Sequence, residues 1–150
     1  MGMLCEARKV DRIGLIQAVG ECLPFADASF DFLSMGYALR HVSDLKNAFD
    51  EYLRVLRPGG VVLILEISRP RSAVLLALAR FYIKTVLGVA FTKATGNQDM
   101  RTLMAYWWDT TEQCVLPERI IAAMQDAGFV RCELKEVFSG LIRDYRAAKV

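Results

Sequence analysis

FDEYLRVLRPGGVVLILE, residues Phe49–Glu66, changes its period once and turns the chain once. In its first half Phe49, Tyr52, Leu53 and Leu56 fall on one helix face, with Leu45 and Ala48 a turn earlier. Arg57-Pro58-Gly59-Gly60 stops that helix, because proline cannot continue it and glycine can adopt the positive φ that turns the chain. Val61–Leu65 follows as an unbroken run of β-branched residues and leucine, the pattern of a strand covered on both faces. A helix, a Pro-Gly-Gly turn and an apolar strand make half of a βαβ unit. The strand ends at Glu66, and open α/β sheets collect ligands at the carboxyl ends of their strands.

Upstream, Met3–Lys9 has Met3, Leu4 and Ala7 at helical spacing, and Ile13–Val19 reads as a buried strand. Pro24 and Asp27-Ala28-Ser29 mark a loop before a strand over Phe30–Met35. Ser43 is the expected N-cap of a helix from about Asp44 to Leu56. Downstream, helical spacing with no clear linker runs from Pro70 to about Val115, as an insertion capping the sheet. Pro117 suits a first helical position, Ile120, Ile121 and Met124 a buried face, and Gly128 a stop. Val130, Cys132 and Leu134 alternate with charged residues as in a half-exposed strand, and Ser139-Gly140 turns into a last strand, Leu141–Ala147. The order predicts an α/β fold whose mostly parallel sheet is closed by an antiparallel carboxyl-terminal hairpin. The whole of residues 1–150 is expected to be one domain, with the helical cap at about 70–116.

Composition narrows the function classes. Hydrophobic residues make up 54% and charged residues 24% of the 150 residues, which calls for a substantial core. The formal charge of +2 gives no reason to expect nucleic acid. Cys5, Cys22, Cys114 and Cys132 form no CxxC pair, and a single histidine argues against a metal site. Free thiols fit a reducing, cytoplasmic setting. Ala73–Phe91 is the most apolar segment, but Arg80 and Lys84 interrupt it, so no transmembrane segment is expected there. Peripheral contact with a membrane or a lipophilic substrate stays open.

Five short words occur in order and close together: Glu21-Cys22-Leu23-Pro24-Phe25, Ser29-Phe30-Asp31, Leu39-Arg40-His41-Val42, Arg54-Val55-Leu56-Arg57-Pro58-Gly59-Gly60 and Leu65-Glu66-Ile67-Ser68-Arg69-Pro70. Together they resemble the class I S-adenosylmethionine-dependent methyltransferases, nearest the ubiquinone/menaquinone-biosynthesis C-methyltransferases. The resemblance implies a Rossmann-like sheet and S-adenosylmethionine as cofactor. It also implies that the first two strands, with their glycine-rich turn and ribose-binding acidic residue, lie outside this chain, which holds no GxGxG. Binding of the cofactor by this chain alone is therefore not expected.

The same resemblance places Val19 and Gly20 at the adenine, where valine replaces an acceptor side chain and only the Gly20 N–H can donate. Gly36 is expected beside the cofactor and Tyr37 beside the substrate. Arg40 and His41 take the place of an Arg-Asn step. The Arg40 fork suits an anionic or enolate oxygen and His41 a base near neutral pH, while the alternative for His41 is a loop residue without chemistry. Glu66 either faces the pocket or is a satisfied structural group. Tyr106 and Trp107 are candidates to line an aromatic or prenylated substrate, against simple packing.

The implied activity is C-methylation of a small quinone-like, aromatic or prenylated acceptor. The alternative is a non-catalytic methyltransferase-fold remnant that acts as an oligomerising or interaction module. A sheet without two of its strands has an unpaired edge, which predicts a homo-oligomer.

Overall fold

The computed structural model describes residues 4, 5, 7, 8, 14–70, 72–138 and 140–150. Four strands, β1 (Phe30–Gly36), β2 (Leu56–Ile67), β3 (Val130–Val137) and β4 (Ile142–Ala148), form one sheet in the order β1-β2-β4-β3. β1 and β2 run parallel, and β2–β4 and β4–β3 run antiparallel. The expected α/β sheet with its antiparallel carboxyl-terminal hairpin is thus present, as a mixed sheet with β2 at its centre.

Helix α1 (Leu45–Val55) joins β1 to β2. Its N-cap is Asp44, whose carboxylate accepts from the Asn47 N–H at 3.1 Å, and not Ser43. Ser43 is captured instead by Glu21, which accepts from both its N–H and its hydroxyl at 2.9 Å. The helix gives way to extended backbone at Leu56, and Arg57-Pro58-Gly59-Gly60 is absorbed as a bulge. Between the pairs Phe30↔Leu56 and Phe32↔Val61, β1 advances two residues and β2 five. Gly59 supplies the φ of +80°, and a Cβ on Gly60 would meet the Arg57 carbonyl oxygen at 2.8 Å. The bulge lies between a helix and the central parallel strand, as the sequence requires.

One sheet face is fully packed. Val62, Ile64, Tyr145 and Ala147 point into a core with Ala48, Phe49 and Tyr52 of α1 and Ile120 and Met124 of α4 (Pro117–Asp126). Phe49 meets Tyr52 and Phe129 edge-to-face, with ring centroids 5.9 and 6.5 Å apart. Pro117 occupies the first turn of α4, and Gly128 follows its end with a φ of +103°.

The other face departs from expectation. Val61, Leu63, Leu65 and Ile67 are only half-buried and Phe32 is exposed, so β2 is covered on one face and not on both. Its continuous apolar run is written for two covering layers, and the described residues supply one. The strand expected over Ile13–Val19 is likewise not formed among the described residues 14–18, and Ile13 lies outside them. Ile16 and Val19 are exposed, and the segment makes only an isolated bridge between Val19 and Cys22. A strand needs a neighbour to hold its backbone groups, and among the described residues β1 has no second one. Of the expected Met3–Lys9 helix, residues 4, 5, 7 and 8 are helical, while Met3, Glu6 and Lys9 lie outside the described residues, as does Ser139 of the expected turn.

The segment expected as a cap forms a helical hairpin whose helices pack chiefly on each other. α2 (Ala73–Thr95) begins at the Ser72 cap, passes through a π-helical stretch at Tyr82–Leu87 and stops at Gly96, where φ is +70°. α3 (Asp99–Glu112) returns along it.

Candidate functional site

The carboxyl ends of β1 and β2 meet in a compact polar cluster. β1 finishes at Gly36, and Tyr37 takes a φ of +59°, costly for a side chain with a Cβ, while its N–H donates to the Leu65 carbonyl at 2.7 Å. A 3₁₀ turn, Leu39–His41, follows, and its buried Leu39 fixes the turn to the core. That turn directs Arg40 inward. Its Nη1 donates to Glu66 Oε1 at 3.0 Å and its backbone N–H to Oε2 at 3.3 Å. The Ile67 N–H also donates to Glu66 Oε1 at 3.0 Å. Glu66 is fully buried and the Arg40 side chain is 8% exposed, so the two charges are removed from water together. Of the two alternatives for Glu66, the satisfied group is the one the bonding supports.

A second arginine stands across the sheet. Arg143 on β4 lies opposite Glu66 in the β2–β4 register and is buried. Its guanidinium donates to Ser68 Oγ and, at 3.0 Å, to Glu136 Oε1, while Ser68 Oγ donates onward to the Gly140 carbonyl. Cys114, after α3, shares this neighbourhood. Burial pushes its thiol up to about 11, the Glu66 carboxylate adds to the rise, and Arg40 and Arg143 oppose it. No local pattern in the sequence joins these residues into a unit. The signal available was a carboxylate ending a wholly apolar strand, since a buried carboxylate requires a cation.

Cys114 is therefore predicted to be a slow thiol. Two pKa units above an ordinary thiol leave about a hundredfold less thiolate near pH 8. Alkylation followed by peptide mass spectrometry should modify the exposed Cys22 first, with Cys114 about a hundredfold behind in the folded protein. Between the Cys114 thiol's unfolded value near 9 and about 11, the unfolded chain loses this proton first, so stability falls as pH rises through that window.

The sequence-derived candidates divide into three places. Gly36, Tyr37, Arg40 and His41 lie within one turn of chain at the strand ends, with Arg40 turned in and His41 exposed. A Cβ on Gly36 would meet nothing within 4 Å. Val19 and Gly20 lie beside the free edge of β1, on an open groove of about 430 Å³ that Phe32, Ser34, Met35 and Tyr52 also line. A Cβ on Gly20 would come 2.8 Å from the Tyr52 hydroxyl. Tyr106 and Trp107 are on α3 in the hairpin, the first exposed and the second half-buried. S-adenosylmethionine needs polar partners for its ribose hydroxyls and for the carboxylate and ammonium of its methionine moiety. Among the described residues this mostly apolar groove offers a serine and a tyrosine hydroxyl, but no acidic side chain and no glycine-rich turn. These residues do not fit that cofactor by themselves.

A parallel β1–β2 pair continued by an antiparallel β4–β3 hairpin is half of a Rossmann-like methyltransferase sheet. A SAM-dependent methyltransferase, possible histamine N-methyltransferase, from Thermotoga maritima superposes with a TM-score of 0.69 at 20% identity, over 99% of this chain and 70% of that one. The sequence pattern of the ubiE/COQ5 methyltransferase family matches residues 3–149, and the chain belongs to that family. Among its relatives, the ubiquinone/menaquinone biosynthesis C-methyltransferase UbiE of Idiomarina loihiensis is 31% identical over 140 residues, 93% of this chain and 55% of that protein. The demethylmenaquinone methyltransferase of Chlorobaculum tepidum is 35% identical over 135 residues, 87% and 53%. The chain spans about half the length of the curated relatives it matches.

Proposed function

We propose that this chain contributes the substrate-side half of an S-adenosylmethionine-dependent methyltransferase that methylates a ring carbon of a small quinone-like, aromatic or prenylated acceptor. The observation that carries the proposal is the family pattern, which runs through residues 3–149 and so across all four strands. In this proposal residues 1–150 are a single partial domain with a helical cap at about 70–116, working in the cytoplasm. Gly20 and Gly36, with Val19, border the cofactor. Tyr37, Tyr106 and Trp107 face the acceptor, and Arg40 and His41 serve it, Arg40 held in one orientation by Glu66. His41 takes the proton in this proposal, and its exposure on the same turn supports that role.

The test follows from the failed fit. Calorimetry with S-adenosylmethionine or its demethylated product should give no saturable heat with this chain alone. Saturable binding should appear when the part of the Chlorobaculum tepidum relative outside the match is co-expressed with it. No binding in the mixture would overturn the proposal.

A second role is favoured by the free edge of β1, whose outward backbone groups have no strand partner among the described residues. Such an edge pairs with another chain. We therefore propose a homo-oligomer, as an interaction module if the catalytic role fails. Sedimentation equilibrium showing a compact monomer at working concentration would contradict this.

A further inference from the structure

We infer that the outward face of the α2–α3 hairpin docks on an anionic bilayer surface. The hairpin's distribution of polar and apolar side chains carries this, independently of the methylation chemistry. A helical hairpin in water hides its apolar residues between the helices and leaves its ion pairs outside. This one keeps Trp108 buried but leaves much of the apolar surface of α2 facing outward, while the α2 cations turn toward α3. Arg80 pairs with Glu112, and Lys84 Nζ lies 2.6 Å from Asp109 Oδ1, so both mid-helix cations of α2 are spent on α3. The residues turned to solvent are Val74, Leu78, Phe81 and Tyr82, at 71, 60, 61 and 53% exposure, which is helical spacing along one stripe. The single buried residue of α2 is Gly88, packed against Arg101 of α3.

A stripe of this kind needs an apolar phase. Charge selects which one. α2 holds Arg80, Lys84 and Lys93 and no acidic residue from Ala73 to Thr95. Arg69 at its base, and Lys93 and Arg101 near the hairpin tip, are exposed and have no acidic partner among the described residues. These cations complement anionic headgroups beside a face that enters the acyl boundary. A second copy docked hairpin to hairpin would set like charges against each other. By length and composition α2 is apolar enough to cross a membrane, but Arg80 and Lys84 tie it side-by-side to polar α3, which suits a hairpin lying in the interface. Because α2 begins soon after the carboxyl end of β2, docking would bring the Arg40–Glu66 cluster close to the bilayer.

Both tryptophans, Trp107 and Trp108, are on α3, so intrinsic fluorescence reports on the hairpin directly. The full chain should float with phosphatidylglycerol-containing vesicles, and acyl-brominated lipids should quench its emission. Phosphatidylcholine vesicles should bind it less, and added salt should weaken binding. The variant L78E/F81E should lose about tenfold or more in partitioning while keeping its far-ultraviolet circular dichroism and thermal midpoint, since both residues are exposed. Equal partitioning of variant and wild type would overturn the inference, as would no flotation at low salt. Sedimentation equilibrium separates the alternative occupant. A dimer dissociated by L78E/F81E, with vesicles ignored, would assign the stripe to a second copy and overturn membrane docking.

Discussion

Replacing Glu66 with alanine is expected to remove about 3–5 kcal/mol of stability, because it leaves the buried Arg40 guanidinium without its counter-charge. Domains of this size have about 5–15 kcal/mol in all, so the urea midpoint should fall by a large fraction. The loss is larger than the pair is worth. Desolvation of both ions offsets most of their attraction, so the double variant R40M/E66L should recover most of the loss. E66Q should fall between, since its amide oxygen can still accept from the backbone N–H groups of Arg40 and Ile67. An E66A midpoint within about 1 kcal/mol of wild type would mean that water reaches the guanidinium and that the pair does not organise the strand ends.

The second large effect is expected at Phe49. Its ring is fully buried and touches Tyr52 within α1 and Phe129 at the entrance to β3, so it joins the central helix to the antiparallel hairpin. Phe49→Ala should cost about 3–5 kcal/mol, the lost transfer energy plus the cavity that close-packed neighbours cannot fill. Phe49→Leu should cost clearly less. The check is equilibrium denaturation with an unchanged slope. A small loss for alanine would show that α1 and the sheet collapse onto the vacated space.

Much of this packing was legible in the chain. The faces of α1 and α4 and the breaks at Pro58, Gly59 and Gly128 are local signals, fixed by the period of the side chains and by backbone sterics. What was not legible depends on distant partners. Both Ser43 and Asp44 are cap-forming residues, and the choice between them fell to Glu21, 22 residues upstream of Ser43. The apolar residues of Ile13–Val19 promise a strand, but a strand exists only where a neighbour accepts its hydrogen bonds. The Arg40–Glu66 pair spans 26 residues, so no local pattern ties a substrate-side arginine to a strand-end carboxylate. The outward apolar stripe of the hairpin depends on how α2 is rotated against α3. No spacing rule applied to α2 alone reveals that Asp109 and Glu112 take its cations.

Among the described residues β2 lies between two bonded neighbours and β1 is bonded on one side only, which has a consequence for motion. Amide exchange should slow steeply from the rim inward, with alternate N–H groups of Phe30–Gly36 losing their hydrogens early and Val62–Leu65 last. Breathing of the molecule then starts at Phe32 and spreads toward Tyr145. Whatever settles along that rim would slow the whole sequence of openings without touching the interior.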